Sequence, residues 1–361
     1  MIPFLDLQRI NAPFIEAYHA QLQKVVEKGW FILGDQLKQF ETDFAATCRA
    51  PYAIGVANGL DAITLLFKAH IALGKLQPGD HILVQANTYI ASIMGIIEAG
   101  LQPILIEPDA ETFNLSPEKI IEAITPEIKG VLVVHLYGQL APMREINAIA
   151  TAQDWVVIED AAQAHGLTFE GMNDLAFSFY PGKNLGALGD GGAVVTHDSA
   201  VAKMVQTLRN YGSSQKYHNE LRGMNSRLDE LQAAFLNVRL PHLMNENNLR
   251  RKWAQRYLTE IQNSAIQLPK VLAMDAHVFH LFVIQTPYRK QLQSYLLQNG
   301  IETMIHYPIP PHKQGAFSNW NTLSFPITEQ IHDTVLSLPM SPVLSEESCT
   351  FIIQTLNQFQ P

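Results

Sequence analysis

The sequence predicts an α/β fold, a mostly parallel central sheet covered by helices on both faces, with a smaller α+β unit after it. Three observations predict it. Between about residues 50 and 200, short β-branched runs alternate with helical patterns, as successive βαβ units do. One of these runs, Trp155–Glu159, reads WVVIE, nearly continuous apolar, as expected of a central strand buried on both sides. After about residue 227 the alternation gives way to long helical stretches with little strand pattern.

Taken in order, Tyr52–Val56 reads as the first strand and Asp61–Ile71 as the amphipathic helix behind it. His81–Gln85 and Pro103–Glu107 are the next strands, then a helix at Pro117–Ile124 and a strand at Val131–Leu136. Met143–Gln153 is helical and leads into Trp155–Glu159; Ala176–Tyr180 and Ala193–His197 complete the strands. Leu228–Leu240 is strongly helical, Pro241 should kink it, and charged helical sequence resumes to about Gln262. A strand at His277–Gln285, a helix at Arg289–Asn299, a short extended run at Glu302–Tyr307 and one or two last helices follow. The expected division is a large domain over 13–240 and a small C-terminal domain over 241–361, with residues 1–12 packing nearby. Internal repeats and low-complexity segments are absent.

Composition narrows the function classes. With 34 acids against 25 Lys plus Arg, the 361-residue chain carries a formal charge of −9, the wrong sign for a generic nucleic-acid or anionic-membrane binder. Cys48 and Cys349 lie far apart with no CxxC or Cys/His cluster, so neither a disulfide scaffold nor a structural zinc site is expected. The N-terminus MIPFLDLQRI lacks a basic segment followed by an apolar run, so no secretory signal is read. The greasy stretch from Ile90 to Ile106 is broken by Glu98, Gln102 and Pro103, so no membrane span is expected. The expectation is a soluble, cytoplasmic protein with no metal.

In such sheets ligands collect outside the carboxyl ends of the strands. Segment 155–196 is the most informative there: WVVIEDAAQAHG, then AFSFYPGKNLGALGDGGAVVT. Asp160 ends one expected strand, and Lys183 follows another in a Pro-Gly turn flanked by Asn184 and Gly186, so both should project at one rim. Alone, Lys183 reads as a solvated loop lysine. With Asp160 and Ser178 beside it, the set suits pyridoxal phosphate (PLP): the lysine forms a Schiff base with the aldehyde, and the acid keeps the pyridine nitrogen protonated. Gly59 and Leu60 should open a helix after the first strand, where free N–H groups and the helix dipole favour a phosphate. No GxGxxG follows that strand, which disfavours a dinucleotide-binding dehydrogenase.

FSFYPGKNLGALGDGGAVVT resembles the active-site motif of the DegT/DnrJ/EryC1/StrS sugar-nucleotide aminotransferases, PLP enzymes of fold type I. VANGLDAITL, NTYIASIMGIIEAG, EPDAETFNL, VHLYGQ, EDAAQAHG, GMNSRLDELQAAFL and HYPIPPHKQ resemble the same family in its usual order, from residue 2 to about 345. The resemblance implies Lys183 as the Schiff-base lysine, Asp160 as the pyridinium partner and Gln163 beside the ring on its phenolic oxygen. It further implies Ser178 on the phosphate, Tyr89 stacked on the ring, and Tyr180, His306 and Tyr307 touching the hexose. Asn225 resembles the asparagine that reaches the phosphate of the neighbouring subunit, implying a homodimer with shared sites; read alone it is a helix N-cap. His165 and His135 read as structural or supporting residues.

Two departures stand out. Only nine residues, Leu167–Leu175, join Gly166 to Ala176, where the family carries a longer glycine-rich stretch, and Gln85 stands where proline is frequent. The resemblance implies transfer of an amino group from L-glutamate, through PLP and its amine form PMP, to C3 of a dTDP-3-keto-6-deoxyhexose. The alternatives are a C4-specific relative, and a non-catalytic PLP-binding regulatory member. Dehydratase relatives carry histidine at the lysine position, which Lys183 argues against.

Overall fold

The computed structural model describes every residue except Lys216. Seven strands form the central sheet: β1 (Tyr52–Val56), β2 (His81–Gln85), β3 (Gln102–Ile106), β4 (Ile128–Val134), β5 (Val156–Asp160), β6 (Asp174–Ser178) and β7 (Gly192–Thr196). Their order is β1-β7-β6-β5-β4-β2-β3, which puts β5 at the centre. β7 runs antiparallel to both neighbours, and the other pairings are parallel.

Around this sheet run α1 (Leu7–Asn11), α2 (Ile15–Lys28), α3 (Asp35–Thr47), α4 (Gly59–Ala72), α5 (Ile90–Glu98), α6 (Pro117–Glu122), α7 (Met143–Gln153), α8 (Ser199–Leu208) and α9 (Glu230–Arg239). Side chains alternate across the strands. Ile158, Ala176 and Val194 face a core shared with α4, α5 and α8, whereas Phe177, Ala193 and Val195 face Phe40 and Phe44 of α3 and Leu236 of α9. Phe177 meets Phe44 edge-on at 5.0 Å. Truncating so buried a ring to alanine should cost about 3–5 kcal/mol. Glu230, itself buried, accepts the N–H groups of Gly34, Gln36 and Leu37 and so caps α3 from α9.

Past α9, Pro241 sits in a 3-10 turn, Leu240–His242, before α10 (Leu243–Glu260). Then come α11 (Arg289–Gln298), α12 (Pro326–Thr334) and α13 (Glu346–Gln358). Trp253 and Tyr257 of α10, Leu296 of α11 and Ile352 of α13 share a core with Phe282 and Leu338. A short hairpin, β8 (Ser213–Gln215) with β9 (His218–Asn219), lies before α9, and β10 (Phe282–Gln285) pairs antiparallel with β11 (Val335–Leu338). At the amino end, Ile2 pairs with Ile301 and donates its N–H to Gly300 at 2.7 Å.

Several expected bounds are corrected. β4 begins at Ile128, ahead of the apolar run, and β5 begins at Val156 with its first two residues only half-buried. The strand expected over His277–Gln285 is confined to β10, because Phe279 adopts a left-handed φ of 45° and turns the chain. The extended run at Glu302–Tyr307 contributes one bridge, Met304 to Ser337. Among the described residues no helix is long and apolar enough to cross a membrane.

Candidate active site

β5 and β6 lie side by side in parallel, so their carboxyl ends open at one rim. Asp160 is the last residue of β5, and Lys183 follows β6 by five positions, as their places in the sequence implied. The turn between is tight: Lys183 donates its N–H to the Tyr180 carbonyl at 2.8 Å, and Ala187 donates to Phe179 at 2.8 Å. Gly186 is required by close approach, since a Cβ there would lie 2.4 Å from the Pro181 carbonyl oxygen.

Burial pushes the Lys183 amine down to about 8, against the opposing pull of the Asp160 carboxylate. A sizeable fraction is therefore the neutral, nucleophilic amine near neutral pH. Burial, assisted by the charge of Lys183, holds the imidazoles around it neutral: His165 falls to about 3, His306 to about 4, and His280 well below its usual range. Asn184 uses its amide N–H groups on Asn247 Oδ1 (2.9 Å) and the Val278 carbonyl (3.2 Å), so its oxygen accepts from His280 Nδ1 at 3.2 Å. That chain of amides ties the lysine turn to α10 and to the strand region after it.

The Asp160 carboxylate is held from two sides. Its Oδ1 accepts the Ala162 N–H at 3.1 Å, and its Oδ2 accepts the Ser92 hydroxyl at 2.7 Å. Gln163 is also fixed: Oε1 accepts from the Tyr137 N–H at 2.6 Å, and Nε2 donates to the Tyr307 hydroxyl at 3.2 Å. Tyr307 lies 5.0 Å from Tyr89, ring to ring, and Tyr89 remains 51% exposed, an aromatic face open to a planar ligand. His306 donates to or accepts from Ser337 Oγ at 2.8 Å, and the Tyr137 hydroxyl donates to the His306 carbonyl.

At the other end of the rim, α4 begins at Gly59, with Asn58 as its cap accepting the Asp61 N–H at 2.8 Å. Gly59 packs against Ser178, where even a methyl group has no room. Gly59 and Leu60 are the first two residues of α4, whose N–H groups have no intrahelical partners, and Gly59 lies against Ser178, so these are donors of the kind a phosphate needs. The Ser178 oxygen also accepts the Tyr180 N–H at 3.3 Å, and the Tyr180 ring is 59% exposed. A phosphate cradle, an open aromatic face, a carboxylate and a depressed-pKa amine along one rim fit PLP.

Asn225 stands apart. It is exposed, pairs through its backbone with Asn210, and lies four residues before the Asp229 cap of α9, so the N-cap alternative does not hold. Its neighbour Ser226 accepts the Ala57 N–H at 3.1 Å. His135 is a supporting residue: its Nε2 meets the buried Glu159 at 2.6 Å, and Asn173, in the shortened loop, donates to the same carboxylate at 2.7 Å. Ser92, Thr88 and Tyr137 are site neighbours that reading the sequence did not single out. The signal for the first two was the NTYIAS motif, in which only Tyr89 drew notice.

Comparison with known proteins agrees with this geometry. The family model for the DegT/DnrJ/EryC1/StrS aminotransferases matches residues 14–357. The dTDP-3-amino-3,6-dideoxy-alpha-D-galactopyranose transaminase of Aneurinibacillus thermoaerophilus is 50% identical, over 99% of both chains. Among solved structures, DesV of S. venezuelae superposes with a TM-score of 0.95 at 40% identity, covering 99% of this chain and 98% of that one. NtdA of Bacillus subtilis, with bound cofactor PMP, gives 0.92 at 34% identity, covering 98% and 84%. The chain belongs to the DegT/DnrJ/EryC1/StrS aminotransferase family.

Proposed function

We propose that this PLP-dependent aminotransferase moves the amino group of L-glutamate to C3 of a dTDP-linked 3-keto-6-deoxyhexose. The observation that carries the chemistry is the half-buried Lys183 amine, lowered to about 8 and set beside Asp160 at one sheet rim. The C3 and dTDP assignment rests on likeness to the 3-amino-3,6-dideoxygalactose transaminase.

Bound PLP supplies an aldehyde that takes up amines and a pyridine ring that withdraws electrons from the donor's α-carbon. Lys183 Nζ holds the proton removed from that carbon and returns it, acting as general base and then as general acid. Asp160 keeps the ring nitrogen protonated by placing a negative charge against it. Gly59, Leu60 and Ser178 bind the phosphate, Tyr89 stacks on the ring, and Gln163 orients its phenolic oxygen. Tyr180, His306 and Tyr307 line the sugar side. Asn225, exposed on its own chain, completes the phosphate site of a second copy, making the working unit a homodimer. Exposed Trp30, Phe31 and Leu188 are apolar surface available to such a partner. The reading includes a cytoplasmic location, which suits the two free cysteines.

The deciding experiment incubates the protein with L-glutamate and dTDP-3-keto-6-deoxyglucose or its galactose epimer, with a UDP-4-keto sugar in parallel. Product identified by mass and NMR should carry nitrogen at C3. Amination of the 4-keto substrate alone would replace this reading with the C4-specific one. No amination of any substrate by the PLP-loaded protein would favour the regulatory reading.

A further inference from the structure

Two buried hydroxyls stand behind the Asp160 carboxylate. The Thr88 and Ser92 hydroxyl oxygens are 2.8 Å apart, and Ser92 Oγ lies 2.7 Å from Asp160 Oδ2. Thr88 and Ser92 are each about 1% exposed, so bulk water supplies neither with a partner. An ionised carboxylate only accepts, so the Ser92 proton points at Asp160 and the Ser92 oxygen accepts the proton of Thr88. The chain of donors therefore has one direction, and it ends on the carboxylate. Ala162 N–H, at 3.1 Å from the other oxygen, fixes the second coordinate of the group. Tyr89 directly follows Thr88 in sequence, and Ser92, in the first turn of α5, donates its N–H to the Tyr89 carbonyl at 3.2 Å. One five-residue segment thus carries both the exposed ring and the hydroxyl that holds Asp160.

We propose that Ser92, aligned by Thr88, is a positioning residue that locks the Asp160 carboxylate in the rotamer serving the cofactor's ring nitrogen. This rests on the role given to Asp160 above. Without the Ser92 hydroxyl the buried carboxylate loses a charge-assisted hydrogen bond and is held by the Ala162 N–H alone, so it can turn about its side-chain bonds and its alignment with the nitrogen is weakened. Threonine at 92 keeps a hydroxyl there; alanine does not.

The test titrates apo protein with two ligands, PLP and an analogue with carbon in place of the ring nitrogen, following binding by absorbance and tyrosine fluorescence. Wild type should prefer PLP. Ser92→Ala should weaken PLP binding about tenfold and leave the analogue's affinity unchanged, while Ser92→Thr restores the preference. Thr88→Val should act in the same direction and less strongly, and Ser92→Cys keeps the side-chain bulk should the alanine variant fail to fold. In an Asp160→Asn background Ser92→Ala should add nothing. Equal weakening of both ligands by Ser92→Ala, or a full effect in the Asp160→Asn background, would overturn the proposal, since a merely structural serine behaves so. Equal affinity of wild type for the two ligands would instead overturn the Asp160 role itself, and the proposal with it.

Discussion

Gly59 and Ser178 come from opposite sides of β7, yet they meet so closely that a Cβ on Gly59 would lie 2.7 Å from the Ser178 Cβ. The contact brings the first turn of α4 against the end of β6. It explains why residue 59 is glycine although α4 gives it ordinary helical geometry: the constraint is space, not φ. Gly59→Ala should push the helix start away from Ser178 and separate the donors of the phosphate cradle. The expected result is a folded protein whose PLP affinity falls about tenfold or more, measured by cofactor retention on dialysis. Unchanged retention would show that the cradle lies elsewhere.

Lys183 is the predicted covalent anchor. Borohydride treatment of the PLP-loaded protein should fix the cofactor to one lysine, and peptide mapping should place it at 183. Lys183→Ala should abolish the fixed adduct with the circular dichroism spectrum intact, because the side chain at that turn takes no part in the hydrophobic core. A label on any other lysine overturns the assignment.

The same amine makes a pH prediction. Its ordinary value is 10.5, and burial lowers it to about 8. The neutral fraction grows about tenfold per pH unit below that value and saturates above it. Capture of PLP by the apo protein, followed by stopped-flow absorbance, should therefore accelerate from pH 6 upward and level off just above pH 8. A rate still climbing steeply at pH 9.5 would mean an unshifted lysine.

Replacing Asp160 by Asn keeps the shape and removes the charge. PLP should still bind, held by the phosphate cradle and the Tyr89 face, while turnover falls by about two orders of magnitude or more. Steady-state kinetics at saturating cofactor separates the two effects, and near-wild-type turnover would remove the electron-withdrawing role from the site.

How much of this was legible depends on how local the signal is. β1 and β2 were placed to the residue, because their apolar runs end in abrupt polar or turn-forming neighbours. β4 was misjudged at its start because Lys129 and Gly130 interrupt the pattern. Gly130 is there for the sheet, since a Cβ would lie 2.7 Å from the Val156 carbonyl oxygen on the next strand. The antiparallel direction of β7 leaves no mark on its own residues; it follows from pairing with β1, more than 130 positions earlier. The early helices α2 and α3 went unread, and the N-terminus of α3 is capped by Glu230, nearly 200 residues away. In the site, Lys183, Asp160 and Ser178 announced themselves by motif. Ser92 did not, because nothing in a serine four positions from Thr88 foretells a carboxylate 68 residues further on.

The last prediction concerns Asn225. Its side chain is exposed on a segment whose neighbour Ser226 is anchored to Ala57, so it projects outward from a fixed base. If it completes a partner's phosphate site, each site of a two-fold dimer draws on both chains by one contact made twice. Removing that amide should cost about 1–3 kcal/mol, or one to two decades in cofactor affinity. Subunit mixing tests it. Lys183→Ala chains, inactive alone, are exchanged with Asn225→Ala chains at a PLP concentration where the latter are nearly inactive. In the mixed dimer one site combines Lys183 of the second chain with Asn225 of the first and is intact, so activity should return toward a quarter of the wild-type level when random exchange leaves half the dimers mixed. Exchange verified by mass spectrometry with no activity regained, or active protein that sediments as a monomer, would show that each chain builds its site alone.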